Sequence, residues 1–184
     1  LDDWVGQSAL EDKATVGNAV SVIDQVETPE ITSSHRNHKI KNILVTGGGG
    51  YIGTNLVRNL LEEGYKVRVI DTFWFGDHLK KNKNLKILKK DIRNIVEKDL
   101  EKIDCILHLA SIANDPAAEL DAGLTWDVNV LATYKLINIA IKKKVKKFIF
   151  ASSGSVYGIK KEKKVTENLS LEPVSEYNKS KIIG

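Results

Sequence analysis

From Lys41 onward the chain alternates short β-branched runs with amphipathic stretches, the spacing expected when strands are joined by crossover helices. The runs predict strands at 42–46 (Asn-Ile-Leu-Val-Thr), 66–70 (Lys-Val-Arg-Val-Ile), 85–89, 103–109 (Ile-Asp-Cys-Ile-Leu-His-Leu) and 147–151. Between the first two, Ile52, Leu56 and Leu60 share one helical stripe, and Gly64 supplies a left-handed stop. A second helix is expected after Pro116, where Leu120, Leu124, Val128 and Leu131 continue a stripe toward Ile141. The first, second and fourth strands read as continuous apolar runs, the pattern of parallel strands covered on both faces. A doubly wound parallel α/β sheet follows. No internal repeat is visible.

Residues 1–38 differ in kind. Seven acids stand there against Lys13 and Arg36, so this part carries −5 while the remaining residues hold +9 of the net +4. Val16, Ala19, Val20, Ile23 and Val26 recur at helical spacing, but Gly17 interrupts them and Thr28-Pro29 ends the pattern. We read 1–38 as an acidic lead segment and polar linker of unassigned role, and 39–184 as the folded domain. His35 and His38 lack a nearby Cys or acid cluster, so they read as solvated loop residues and no metal is expected. The sequence begins at Leu1 with acidic residues and no signal pattern, a start expected not to be the native one.

The 184 residues are 42% hydrophobic and 28% charged, which excludes disordered, collagenous and disulfide-stapled classes. The longest apolar run, Cys105 to Ala113, falls well short of the ~20 residues of a membrane span. A single Cys in an apolar strand points to a buried thiol and a cytoplasmic address. The lysine clusters at 142–147 and 160–164 lack interleaved aromatics and read as solvated surface, not a nucleic-acid face. Trp74 and Trp126 read as packing residues.

Chemistry concentrates at two motifs. The first strand runs into Thr46-Gly47-Gly48-Gly49-Gly50-Tyr51-Ile52-Gly53, and a helix starts there. Such a turn admits a pyrophosphate to the backbone, and the helix N-terminus supplies N–H groups and partial positive charge. Asp71 ends the second strand 18 residues after Gly53, where a carboxylate accepts both hydroxyls of an adenosine ribose. Thr54 in place of Lys after Gly53 excludes a nucleotide-triphosphate loop. Asp71 would repel a 2′-phosphate, which favours NAD over NADP, and Arg68 within the strand is expected to point elsewhere. Four glycines allow two registers, Gly48-Gly50-Gly53 or Gly47-Gly50-Gly53.

The second motif decides between them. Ser152-Ser153 follows the fifth strand, and Tyr177-Asn178-Lys179-Ser180-Lys181 places Tyr177 and Lys181 one helical turn apart on one face. A phenol is a poor base at neutral pH, and a neighbouring ammonium favours its phenolate. Lys181 is therefore expected to lower the Tyr177 pKa. Together with Asp91-Ile92, His108-Leu109-Ala110, Asn129 and Ser152 through Gly158, these motifs resemble the extended short-chain dehydrogenase/reductase family, in its nucleotide-sugar epimerase/dehydratase branch, over residues 41–184.

The resemblance implies an NAD(P)-binding Rossmann fold. It implies that Gly47, Gly50, Tyr51, Ile52 and Gly53 lie against the pyrophosphate of NAD and Asp71 on its ribose. Asp91 and Ile92 would contact adenine, Leu109, Ala110 and Ser111 would line the cofactor, and Asn129 would sit near the nicotinamide ribose. Ser153, Tyr177 and Lys181 would be the catalytic set, Tyr177 and Lys181 also touching cofactor.

Dehydratases and decarboxylases of the branch carry an extra acid after the serine. Here Gly154 and Ser155 stand there, which favours simple hydride chemistry at a sugar carbinol, as in a UDP-galactose 4-epimerase-like enzyme. An NAD-dependent sugar dehydrogenase or keto-sugar reductase and a non-catalytic NAD-binding module remain alternatives. Family members continue past the Tyr-Lys helix into a sugar-binding domain, so the chain is expected to be truncated before its substrate domain and inactive alone. When full length, the resemblance implies a homodimer, with the Leu120 to Ile141 helix as the candidate contact.

Overall fold

The five expected strands form as β1 (Asn42–Thr46), β2 (Lys66–Asp71), β3 (Leu85–Lys89), β4 (Cys105–His108) and β5 (Lys147–Phe150). A computed structural model describes residues 40–183, so the lead-segment readings, including the Val16–Val26 stripe and the His35 and His38 pair, lie outside the described residues. All pairings are parallel, in the order β3-β2-β1-β4-β5, with Val45 opposite Val69 on one side and Leu107 on the other. The order reverses at β1, so the carboxyl ends of β1 and β4 form the switch point at which doubly wound sheets take ligands.

Alternation along the central strands sorts the core into two layers. Ile43, Val45, Val67, Val69, Cys105 and Leu107 meet Leu56, Val57 and Leu60 of helix α1 (Tyr51–Glu62). Leu44, Ile70 and Ile106 turn the other way, onto Ile92, Ile95, Leu136 and Ala140. Burial of each large aliphatic side chain contributes about 1.5–3 kcal/mol, which is what holds α1 against the glycine turn. Ile52, expected on this stripe, is 39% exposed at the helix start. α1 ends as predicted: Gly64 takes φ +85, and its N–H and that of Tyr65 donate to the Leu61 and Leu60 carbonyls.

The long helix expected after Pro116 is broken into α2 (Asp115–Leu120), α3 (Ala122–Trp126) and α4 (Ala132–Lys142), with a π-helical turn at Asp127–Leu131. Two short polar side chains restart the backbone. Asn114 accepts from the Ala117 N–H, and Asp121, itself extended, accepts from the Leu124 N–H. The π-turn then inserts an extra residue and rotates the stripe. Leu120 and Leu131 face solvent, while Val128, Ala132, Leu136 and Ala140 take the core.

Asp104 ties the opposite end of the sheet, accepting from the Lys41 and Asn42 N–H groups and from Lys146 Nζ. Although burial pushes its carboxyl up, the Lys146 ammonium and those amides hold it at about 2. Within the lysine clusters, Lys142 and Lys143 pair with Glu97 and Lys160 with Glu172. Trp126 donates to Glu176 at 2.8 Å, whereas Trp74 is 59% exposed and does not pack as expected.

Candidate active site at the carboxyl edge of the sheet

The glycine turn leaves β1 under tight constraint. Gly47 has φ +74, and a Cβ there would sit 2.6 Å from the Ala110 nitrogen. A Cβ on Gly53 would come within 2.2 Å of the Gly47 carbonyl oxygen, so α1 touches the turn through bare backbone. Gly50 is different: its Cβ would meet nothing nearer than 3.4 Å, and the fold alone does not require glycine there. A glycine that packing does not demand, at the N-cap of a helix with no side-chain cap and no acid in its first turn, leaves space and donors for an anion. The residues thus fit a pyrophosphate at the Gly47 to Gly53 turn, where Gly48 is also closed, a Cβ there falling 2.8 Å from Val69.

Asp71 closes the other side of the turn. Its Oδ2 accepts from the Gly49 N–H at 2.9 Å and its Oδ1 from the Phe73 N–H at 2.7 Å, which fixes the carboxylate beside the turn with lone pairs to spare. Arg68 points away, its Nη1 donating to the Asp99 carbonyl at 2.6 Å. Tyr51 is exposed beside the turn, and Leu109, Ala110 and Ser111 lie half-buried across from it. Asp91 caps a 3₁₀ turn and is held by Arg93, whose guanidinium lowers its pKa, while Ile92 is buried in the core.

A chain of buried polar groups joins this turn to the helix that carries Tyr177 and Lys181, and the sequence reading missed most of it. Thr133 donates to the Asn129 carbonyl, so it accepts from Nε2–H of His108 at 2.8 Å. His108 Nδ1 must then accept from the Thr46 hydroxyl at 2.5 Å, and Thr46 in turn accepts from the Ala110 N–H. Burial drives His108 down to about 3, so the ring is neutral and this order is fixed. Asn129 is 2% exposed; it accepts from the Ile112 N–H and donates to the Ile112 carbonyl and to Ser180. The one available signal was a His and a Thr in otherwise apolar strands.

Ser153 N-caps a 3₁₀ turn (Gly154–Tyr157) after β5, and helix α5 (Glu176–Ile183) carries Tyr177 and Lys181. Ser153 Oγ accepts from the Ser155 N–H at 3.2 Å and stands 2.7 Å from Ser155 Oγ, whose hydroxyl donates to Asn178 Oδ1. Ser153, Tyr177 and Lys181 sit at the carboxyl edge onto which the β1 turn opens: Lys181 Nζ donates to the Ala151 carbonyl at 3.0 Å and lies 5.0 Å from the Phe150 ring centre. Burial lowers Lys181 to about 8. Burial also raises Tyr177; Ser153 opposes that rise and the Asp115 charge adds to it. The expected lowering by Lys181 is therefore overturned, because Nζ is turned to Ala151 and stands 5.7 Å from the tyrosine ring centre. The foot of α5 is docked by Ser175, which accepts from the Asn178 N–H and donates to Asp115.

Among the described residues no helix is long and apolar enough to cross a membrane, and no group of three or more His, Cys, Asp or Glu side chains gathers as for a metal.

Residues 43–184 match the model of the NAD dependent epimerase/dehydratase family. UDP-glucose 4-epimerase of Lactobacillus helveticus is 34% identical over 145 residues, covering 77% of this chain and 44% of that protein. UDP-N-acetylglucosamine 4-epimerase from Methanobrevibacter ruminantium, solved with UDP-N-acetylmuramic acid, superposes with a TM-score of 0.74 at 34% identity, over 78% of this chain and 48% of the other. The Thermus thermophilus UDP-glucose 4-epimerase complex with NAD gives 0.70 at 30% identity, over 76% and 47%. The chain thus spans less than half the length of these relatives. A glycine turn closed on bare backbone, Tyr177 and Lys181 beside the end of β5, and a family match over 43–184 make one statement: this chain belongs to the NAD-dependent epimerase/dehydratase family.

Proposed function

We propose that this chain is the NAD-binding part of a nucleotide-sugar epimerase that works by transient hydride transfer at a sugar carbinol, C4 by analogy with the relatives. The observation that carries the reading is the gathering of Tyr177 and Lys181 beside the end of β5, with Lys181 Nζ on the Ala151 carbonyl two residues before Ser153 and 5.7 Å from the Tyr177 ring centre. When bound, NAD would supply a reversible hydride acceptor for the carbinol carbon. Tyr177 accepts the hydroxyl proton, Ser153 holds the reacting oxygen, and Lys181 supplies the positive charge beside them. Partial burial raises the Tyr177 pKa, so the phenol starts protonated and its deprotonation waits on the charges that ligands bring.

Gly50, with Tyr51 and Ile52 at the α1 N-terminus, would receive the pyrophosphate, Asp71 the adenosine ribose, Asp91 and Ile92 the adenine edge, and Leu109 to Ser111 with Asn129 the nicotinamide side. The absence of an acid at Gly154 and Ser155 favours epimerisation over dehydration. A cytoplasmic address agrees with Cys105, whose thiol burial pushes up to about 11. Exposed Leu131, Tyr134 and Ile141 on α4 and the turn before it suit a homodimer of the longer protein.

With less than half of its relatives' length present, this chain should bind NAD and turn over little sugar. In a version carrying the remaining length, Tyr177→Phe should abolish epimerisation while NAD stays bound. Turnover without net NADH absorbance supports the epimerase; a net rise would identify a dehydrogenase. Full activity in Tyr177→Phe would overturn the mechanism.

A further inference from the structure

We propose that the acidic lead segment, residues 1–38, docks along the open edge of β3, where six lysines gather with no acid between them. The inference goes beyond the proposed function and does not rest on it.

β3 is the last strand on its side of the sheet. It pairs with β2, Leu85 opposite Val67 and Lys89 opposite Asp71, and among the described residues nothing pairs its other edge. Such an edge presents a row of unpaired N–H and C=O groups. Leading into the strand and along it stand Lys80, Lys81, Lys83, Lys86, Lys89 and Lys90, and no Asp or Glu occurs from 80 to 90. Lys90 meets Asp99 at 2.6 Å; the other five are exposed, and none makes an ion pair among the described residues. Elsewhere Lys142, Lys146 and Lys160 do find Glu97, Asp104 and Glu172. Ile87, in the middle of β3, adds an apolar spot that is 36% exposed.

Edge lysines deter a second copy, because two such edges side by side would set six lysines against six. What complements them is an acidic chain. Residues 1–38 hold seven acids against Lys13 and Arg36, a charge of −5. They also enter the fold close by. The Lys41 carbonyl accepts from the Lys66 N–H at 2.9 Å, and the Asn84 carbonyl from the Val67 N–H at 2.8 Å. The chain therefore enters β1 level with the start of β3 and two strands away, about 10 Å. About three extended residues span that gap. Asp24, Glu27 and Glu30 precede Ile40 by 10 to 16 residues and so reach Lys80 to Lys89 with slack. Each exposed ion pair is weak, but the tether makes the encounter intramolecular, and several weak pairs then suffice.

Thermolysin cleavage of the full chain, followed at the apolar run from Val16 to Val26, tests the docking. Reversing the edge with Lys80→Glu, Lys83→Glu, Lys86→Glu and Lys89→Glu should speed the cut about tenfold, the combined weight of four exposed ion pairs. Salt at about 0.5 M, which shortens screening to about 4 Å, should speed the parent's cut toward the same rate. Adding Asp24→Lys, Glu27→Lys and Glu30→Lys to the reversed edge should restore protection. Carbodiimide coupling of the unaltered chain gives a second measurement that needs no variant: mass spectrometry should find Asp24, Glu27 or Glu30 joined to a lysine of 80–89 within one chain.

A cut rate unmoved by the reversed edge overturns the docking, as does a failure of the reciprocal swap to restore it. Couplings to the lysines of 142–147 or 160–164 instead would place the segment elsewhere and overturn it too. Couplings between isotopically light and heavy chains would give the edge to a second copy. None of these measurements needs NAD or sugar, so a chain that failed to bind NAD would sink the proposed function and leave this result standing.

Discussion

Replacing Gly50 and Gly53 in turn by Ala separates what the glycine turn does for the fold from what it does for a ligand. At Gly53 the new methyl would stand 2.2 Å from the Gly47 oxygen and 2.7 Å from the Gly48 Cα, both backbone atoms with no side chain to move aside. Restoring ordinary contact means shifting the start of α1 off β1 by about an ångström, an overpacking strain of about 1–3 kcal/mol. At Gly50 the nearest atom is 3.4 Å away, so the methyl fits and only the N-cap preference is lost, about 0.5–1 kcal/mol. That methyl, however, fills the space through which a pyrophosphate would reach the helix N-terminus.

Gly53→Ala should therefore lower the unfolding midpoint clearly and weaken NAD. Gly50→Ala should unfold close to the parent and still lose at least about tenfold in NAD affinity, or about 1.4 kcal/mol. Denaturant unfolding and calorimetric titration with NAD measure the two quantities on the same samples. Parent-like NAD affinity in Gly50→Ala would refute the assignment of this turn to the pyrophosphate, and parent-like stability in Gly53→Ala would refute the packing argument.

Asp71→Ala should weaken NAD more than NADP, and it should also cost about 1–3 kcal/mol of stability by leaving the Gly49 and Phe73 amides unpaired; equal loss of both cofactors in a binding titration would remove the case for ribose recognition. His108, held at about 3 by burial against an ordinary value near 6.5, predicts the acid limb of stability. Between those values the unfolded chain binds a proton that the folded one refuses, so stability falls as pH drops, by about 2 kcal/mol from pH 7 to pH 5. In His108→Gln that slope should largely vanish; unfolding curves at the two pH values with the parent's slope would contradict the neutral, buried ring.

The strands, the first helix and the crossover architecture were legible because a buried parallel strand must be apolar throughout and a covering helix must keep a stripe. Gly47 to Gly53, Asp71, Ser153, Tyr177 and Lys181 were legible for a similar reason: their spacing along the chain already carries their chemistry. The helix after Pro116 was misread because Asn114 and Asp121 cap locally and the π-turn shifts phase, and neither event leaves a mark in hydrophobic periodicity.

What the sequence determined by itself was therefore the set of elements and the residues set by short range. Tertiary structure alone decided the direction of the Tyr177 pKa, the neutral His108 bridge from Thr46 to Thr133, and the hydrogen bond from Ser155 to Asn178. These depend on burial and on hydrogen-bond partners brought together from separate crossovers. Desolvation and donor order are properties of the space a group shares, and residues far apart along the chain come to share it only once the sheet is assembled.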